Sequence, residues 1–136
     1  MNNIIKVFII TLSIILFTSC YDRDIVDHKE FDHSLPKVEN LKYTKSADVV
    51  KLTWQIPANI SDDFKKPLEA SIQVVENDIY KQKLIIGGGD TSADITIDTS
   101  KKYRFIVKLL GHLTDDARED GITDRVYSEG QIIEIQ

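Results

Sequence analysis

The sequence predicts an all-β protein built as a single antiparallel two-sheet β-sandwich, preceded by a signal peptide and a flexible tether. Three observations predict it. Apolar residues alternate with polar ones at period two along nearly the whole chain after Leu35, the pattern of strands with one covered face. Turn residues interrupt that pattern at short intervals, and no stretch carries the 3.6-residue period of an amphipathic helix. A sheet with one apolar face and no helix to cover it must be covered by a second sheet.

The first 19 residues stand apart. Met1 to Lys6 is short and basic, and Val7 to Phe17 is an apolar run broken only by Thr11 and Ser13. A bilayer span needs about 20 apolar residues, so this run reads as the apolar part of a secretory signal, with Thr18 and Ser19 as the small residues before a cut. Cys20 follows and is the single cysteine of the chain. Phe17-Thr18-Ser19-Cys20 resembles the lipobox of bacterial lipoproteins, which implies that the Cys20 sulfur carries diacylglycerol and that the chain is cleaved before it. An exported protein with one unmodified cysteine would expose a reactive thiol, and lipidation removes it. Several acyl chains, at about 0.8 kcal/mol per buried CH₂, would hold the protein on a membrane.

Residues 20–34, CYDRDIVDHKEFDHS, are rich in acids and histidine and too poor in apolar residues to fold alone, hence a lipidated tether. Asp22 and Asp24 resemble the export signal of Bacteroidetes lipoproteins, and Tyr21 is not the aspartate that retains other lipoproteins at the inner membrane. The resemblance implies an outer-membrane anchor, exposed at the cell surface. The chain carries 17 basic residues and 22 acidic ones; without Lys6 the net charge is about −6. That sign argues against nucleic acid and against docking of the protein body on anionic lipid.

Residues 35–136 make one domain of ordinary size. In VVKLTWQIP, the residues Val50, Leu52 and Trp54 share one face, and Pro57 ends the strand. In LEASIQVVEND, Ala70, Ile72 and Val74 point inward before the turn residues Asn77 and Asp78. IYKQKLII follows, and its Lys81 and Lys83 suit an edge strand that must not recruit a neighbour. GGGD is a turn, because neither a helix nor a GK[ST] stretch follows it to cradle phosphate. In ADITIDTSKKYRFIVKLLG, Ile95 and Ile97 alternate inward, followed by Tyr103, Phe105, Val107 and Leu109. In YSEGQIIEIQ, Ile133 and Ile135 point inward.

Ile97, Tyr103, Phe105 and Val107 resemble the tyrosine corner and following strand of fibronectin type III domains, with Thr99 and Lys101 in place of that family's proline and threonine. Val50, Leu52, Trp54 and Pro57 resemble its early strand. The resemblance spans Leu35 to Gln136 and implies a fibronectin type III-like sandwich with Val50, Leu52, Trp54, Ile97, Tyr103, Phe105 and Val107 in the core. No cysteine pair is present to make a true immunoglobulin domain.

No catalytic residues are predicted. Ser, His and acidic residues occur, but no nucleophile elbow or HExxH stretch gathers them. HLTDDAREDGITDR is the longest expected loop. Asp116, Asp120 and Gly121 fall at positions one, five and six of a calcium-binding helix-loop-helix, yet Arg118 holds position three and Tyr127 holds position twelve, where a bidentate glutamate is needed. The alternatives left open are a looser calcium site drawn from Asp115, Asp116, Glu119, Asp120 and Asp124, and a plain solvated loop. His28 and His33, each preceded by aspartate, could ligate zinc or copper only at the cost of ordering a tether. Otherwise no cofactor is expected. The function expected is a non-catalytic binding or adhesion module contacting a glycan, a peptide or an envelope protein. The alternative is a structural spacer or accessory subunit of an outer-membrane assembly. Tyr43, Phe64, Tyr80 and Tyr127 are the aromatic candidates for glycan contact, and their clustering or scatter discriminates glycan from protein as the ligand.

Overall fold

The computed structural model describes residues 33–136, except 119, 120 and 122. The predicted signal peptide, Cys20, the tether up to residue 32 with His28, and Glu119 and Asp120 of the acidic loop lie outside the described residues. The described part belongs to the second of two units into which the chain divides, Asp32–Gln136.

Among the described residues, eight strands form two antiparallel sheets. They are β1 (Glu39–Ser46), β2 (Val49–Gln55), β3 (Glu69–Glu76), β4 (Ile79–Ile86), β5 (Ser92–Thr96), β6 (Tyr103–His112), β7 (Arg125–Tyr127) and β8 (Gln131–Ile135). The smaller sheet has the order β1-β2-β5, and the larger has β4-β3-β6-β7, with β8 also paired to β6. Val50, Leu52, Trp54 and Ile95 of the first meet Ile72, Val74, Phe105, Val107 and Leu109 of the second in one core. Phe105, Leu52, Ile72, Leu109 and Val107 are wholly enclosed, each worth about 1.5–3 kcal/mol of transfer free energy. The protein is thus an all-β, two-sheet antiparallel sandwich.

Local chemistry sets each turn. Asn77 and Asp78, both at positive φ (48° and 65°), link β3 to β4, as a two-residue hairpin that follows strand twist requires. Gly88 and Gly89 also take positive φ in the turn after β4, so GGGD is a turn as expected. β4 is an edge strand, and its Lys81 binds Glu76 at 3.2 Å. The other edge of the larger sheet is broken between β7 and β8. There Ser128 exchanges hydrogen bonds with Leu109: Ser128 N donates to the Leu109 carbonyl at 3.0 Å, and Leu109 N donates to Ser128 Oγ at 2.8 Å.

The connection from β5 to β6 crosses between the sheets, and Tyr103 fixes it. Asp98 N donates to the Tyr103 hydroxyl at 3.0 Å, and that hydroxyl donates to Glu76 Oε2 at 3.0 Å. This is the backward hydrogen bond of a tyrosine corner. Asp98 supplies the stiffness that proline would give, since its carboxylate accepts from both Ser100 N (3.0 Å) and Ser100 Oγ (2.7 Å). Glu76 also accepts from Lys101 Nζ at 3.0 Å.

Two outcomes follow for the fold. Trp54 is buried, and its indole N–H has no hydrogen-bond partner among the described residues. Trp54→Ala is expected to cost about 3–5 kcal/mol in urea unfolding. Trp54→Phe should cost less than half as much, because no hydrogen bond is lost with the N–H; equal losses would contradict this placement. The second outcome concerns acid. Lys101, then the Tyr103 hydroxyl and Lys81, hold the Glu76 carboxyl below its ordinary value of 4.5. A depressed carboxylate contributes stability that is complete above the unfolded value and is lost as pH falls through the folded one. Unfolding free energy measured against pH should therefore fall below about pH 4.5, and Glu76→Gln should flatten that fall.

Candidate functional site

The loops 56–68, 87–91 and 113–118, with 123–124, gather at one end of the sandwich, beside the start of β3 and the end of β6. Phe64 corrects an expectation there. It is not an exposed aromatic but is buried to 2% exposure. Segment 61–65 folds back on the end of β6: Phe64 bridges Leu113, Lys65 N donates to the His112 carbonyl at 2.8 Å, and Thr114 N donates to the Asp63 carbonyl at 2.7 Å. The ring lies on Gly111, where a Cβ would come within 2.6 Å of Phe64 Cδ1. Glycine is needed there for space, not for its backbone freedom.

The acidic residues of this end are distributed among cations. Asp115 Oδ1 lies 3.1 Å from Lys65 Nζ. His112 stands between two carboxylates, with Nδ1 3.0 Å from Asp124 and Nε2 3.6 Å from Glu69. The hydrogen bond from His112 holds the Asp124 carboxyl below its ordinary range. His33 Nδ1 lies 3.2 Å from Asp63, and Asp116 is exposed in its turn. Among the described residues no three His, Cys, Asp or Glu side chains come together as a metal-binding group. With a carboxylate near each ring nitrogen, His112 straps the loop at Asp124 to the start of β3 at Glu69. Next to it, Ile56, Pro57, Ile60, Pro67, Leu68 and Gly89 line a shallow concavity of about 280 Å³, near the lower end of ligand pockets.

The second surface is the outer face of the larger sheet, which the sequence reading did not single out. Cross-strand pairing places residues by rows. Glu69 pairs with Leu110, and Leu110 with Tyr127. Ser71 lies between Ile85 and Lys108, Gln73 between Lys83 and Ile106, and Ile106 next to Ile132. Val75 lies between Tyr80 and Arg104, and Arg104 next to Glu134. Since paired residues share a face, all of these point away from the core. Four of the six large apolar side chains exposed among the described residues, Tyr80, Ile85, Tyr127 and Ile132, belong to this face. The outer face of the smaller sheet carries Val49, Lys51, Thr53 and Gln55 of β2, flanked by Lys42, Thr44 and Ser46 and by Ser92, Asp94 and Thr96.

The exposed aromatics do not gather into one platform. Tyr43 belongs to the smaller sheet, opposite Leu52. Tyr80 and Tyr127 occupy opposite ends of the larger sheet's outer face, since their rows, those of Val75 and Glu69, are six residues apart along β3, or about 20 Å. A sugar ring has no stacked pair of faces to lie against. Among the described residues no helix is long and apolar enough to cross a membrane.

For the acidic loop the expected outcome is a melting temperature unchanged by millimolar calcium, because Asp115 and Asp124 already have partners. A rise that Asp116→Asn with Asp120→Asn abolishes would instead make the loop a cation site, since a ligand of the folded state alone stabilises it by mass action.

No curated protein matches the sequence. Among solved structures, the crystal structure of the rat CD45 extracellular region, domains d3-d4, is similar, with a TM-score of 0.55 at 13% identity over 75% of this chain. The match spans 49% of that chain, about half its length. The likeness shows the fold, a fibronectin type III or immunoglobulin-like β-sandwich. A family model matches residues 20–135, most of the chain. The protein therefore belongs to the family described as domain of unknown function DUF4945.

Proposed function

We propose that the protein is a non-catalytic binding module of the cell envelope, anchored by lipid at Cys20, that holds a protein partner on the outer face of its larger sheet. The observation that carries this reading is the collection of Tyr80, Ile85, Tyr127 and Ile132 on that face, against a polar face on the smaller sheet. Half-buried Val75 and Ile106 lie in the rows of Tyr80 and Ile132; exposed apolar groups on an uncovered sheet face mark interaction sites, and tyrosine is enriched in protein interfaces. A glycan is disfavoured by the separation of the tyrosines, and a mere spacer has no use for a face of this composition. The anchor is supported by the leader, by Cys20 at its end and by a family match that begins at that residue.

The test uses a photo-crosslinking amino acid placed in living cells at Ile132 or, as control, at Lys51 on the outer face of the smaller sheet. A discrete adduct with an envelope protein is expected from position 132 and none from position 51. Equal crosslinking from both, or none from position 132, contradicts the docking face. Cys20→Ser should abolish incorporation of labelled fatty acid and release the protein from the membrane fraction; a variant that stays lipidated removes the anchor.

A further inference from the structure

We infer that the partner presents to this face an acidic, extended polypeptide segment with apolar side chains between its carboxylates, an inference that rests on the docking face proposed above. The cations on the face are not treated alike. Arg104, toward one end, is neutralised by Asp78 and Glu134, each at 3.0 Å. Lys83 and Lys108, in the two middle rows, have no carboxylate partner among the described residues. Lys83 Nζ lies 5.5 Å from the centre of the Tyr127 ring and 3.4 Å from its hydroxyl. Lys108 rests its stem beside Gly130, where a Cβ would meet Lys108 Cε at 3.3 Å and Ile106 Cγ2 at 2.5 Å. Both lysines thus lie along the sheet among Ile85, Ile106, Ile132 and Tyr127, their stems adding apolar surface and their ammonium groups left to a ligand.

The chain is not short of acids that could have neutralised them. It carries 22 acidic residues against 17 basic ones, and Asp48, Asp90 and Asp94 lie on the smaller sheet or in turns next to it. Two unpaired cations amid apolar side chains, in a chain of net charge −5, complement a partner with carboxylates at matching places. A second copy of the same face would set lysines against lysines, which opposes self-association. An anionic bilayer would meet Glu69 at one end of the face and Asp78 and Glu134 at the other, so the cationic zone suits a ligand of finite width. Strands spaced about 4.8 Å apart give this sheet a breadth of about 19 Å, or about six residues of extended chain.

Three probes discriminate. The lipidated protein in nonionic micelles is titrated, with amide resonances as the readout, with a ten-residue peptide alternating Glu and Ile, with its Lys and Ile counterpart, and with phosphatidylglycerol doped into the micelles. The Glu peptide is expected to shift resonances of β4, β6 and β8 but not of β2 and β5. Its affinity should fall about tenfold with Lys83→Glu and Lys108→Glu together, and should weaken as salt rises. Both substitutions are on the surface, and an unchanged melting temperature checks that the variant is folded. No shift with the Glu peptide, equal shifts with the Lys peptide, or shifts with phosphatidylglycerol alone would each overturn the inference. The crosslink from position 132 would stand in each case, which separates failure of the acidic chemistry from failure of the docking face.

Discussion

The Tyr103 hydroxyl is the constraint on which the rest depends. It takes the Asp98 amide on one side and gives its proton to Glu76 on the other, so it ties the crossing from β5 to the end of β3 at the point where β6 begins. β6 pairs with β3, β7 and β8. Its phase therefore sets the phase of the whole larger sheet. With Tyr103 inward, Phe105, Val107 and Leu109 are inward too, and Arg104, Ile106, Lys108 and Leu110 are outward. A slip of one residue would exchange the two sets, burying Lys108 and Arg104 without partners at several kcal/mol each. Core and docking face are consequences of one registration.

Much of this was legible because a strand covered on one side must alternate. Val50, Leu52 and Trp54, and again Tyr103, Phe105 and Val107, could be placed from spacing alone, and burial agrees. Phe64 could not. It sits among Ser61, Asp62, Asp63, Lys65 and Lys66, with no alternation to place it, and its burial depends on a bare glycine 47 positions later. Such a contact leaves only a weak trace, a glycine in the middle of an apolar strand, and Gly111 is that glycine.

The outer face was missed for a related reason. Period two separates two faces of a strand but does not say that a face with apolar residues will remain uncovered. The signal is a local breakdown of alternation: Leu84-Ile85-Ile86 and Ile132-Ile133 are consecutive apolar residues, as are Phe105-Ile106-Val107 in β6. In a two-layer fold such a strand has one apolar group too many for its single covered face. Ile85 and Ile132 are two of those surplus groups, 44% and 60% exposed. In the acidic loop, nearness in sequence and nearness in space part company. Its composition concentrates carboxylates in sequence, but folding disperses Asp115 to Lys65 and Asp124 to His112, and dispersal relieves the repulsion that a cation would otherwise have to relieve.

Lysine on a sheet with a free edge usually keeps other strands away, and Lys81 fits that role while paired with Glu76. Lys83 stands two residues on, with the same side chain and a different situation. Its ammonium has turned back over the sheet to the Tyr127 ring, an interaction worth about 0.5–1 kcal/mol at an exposed site and therefore easily exchanged for a carboxylate. In that position the charge does not merely repel. It penalises a like-charged or purely apolar partner, which would have to strip its hydration without compensation, and rewards one that brings an acid to the same place. Repulsion of wrong partners and attraction of the right one then arise from the same two lysines, and the apolar side chains around them can remain exposed without making the face indiscriminate.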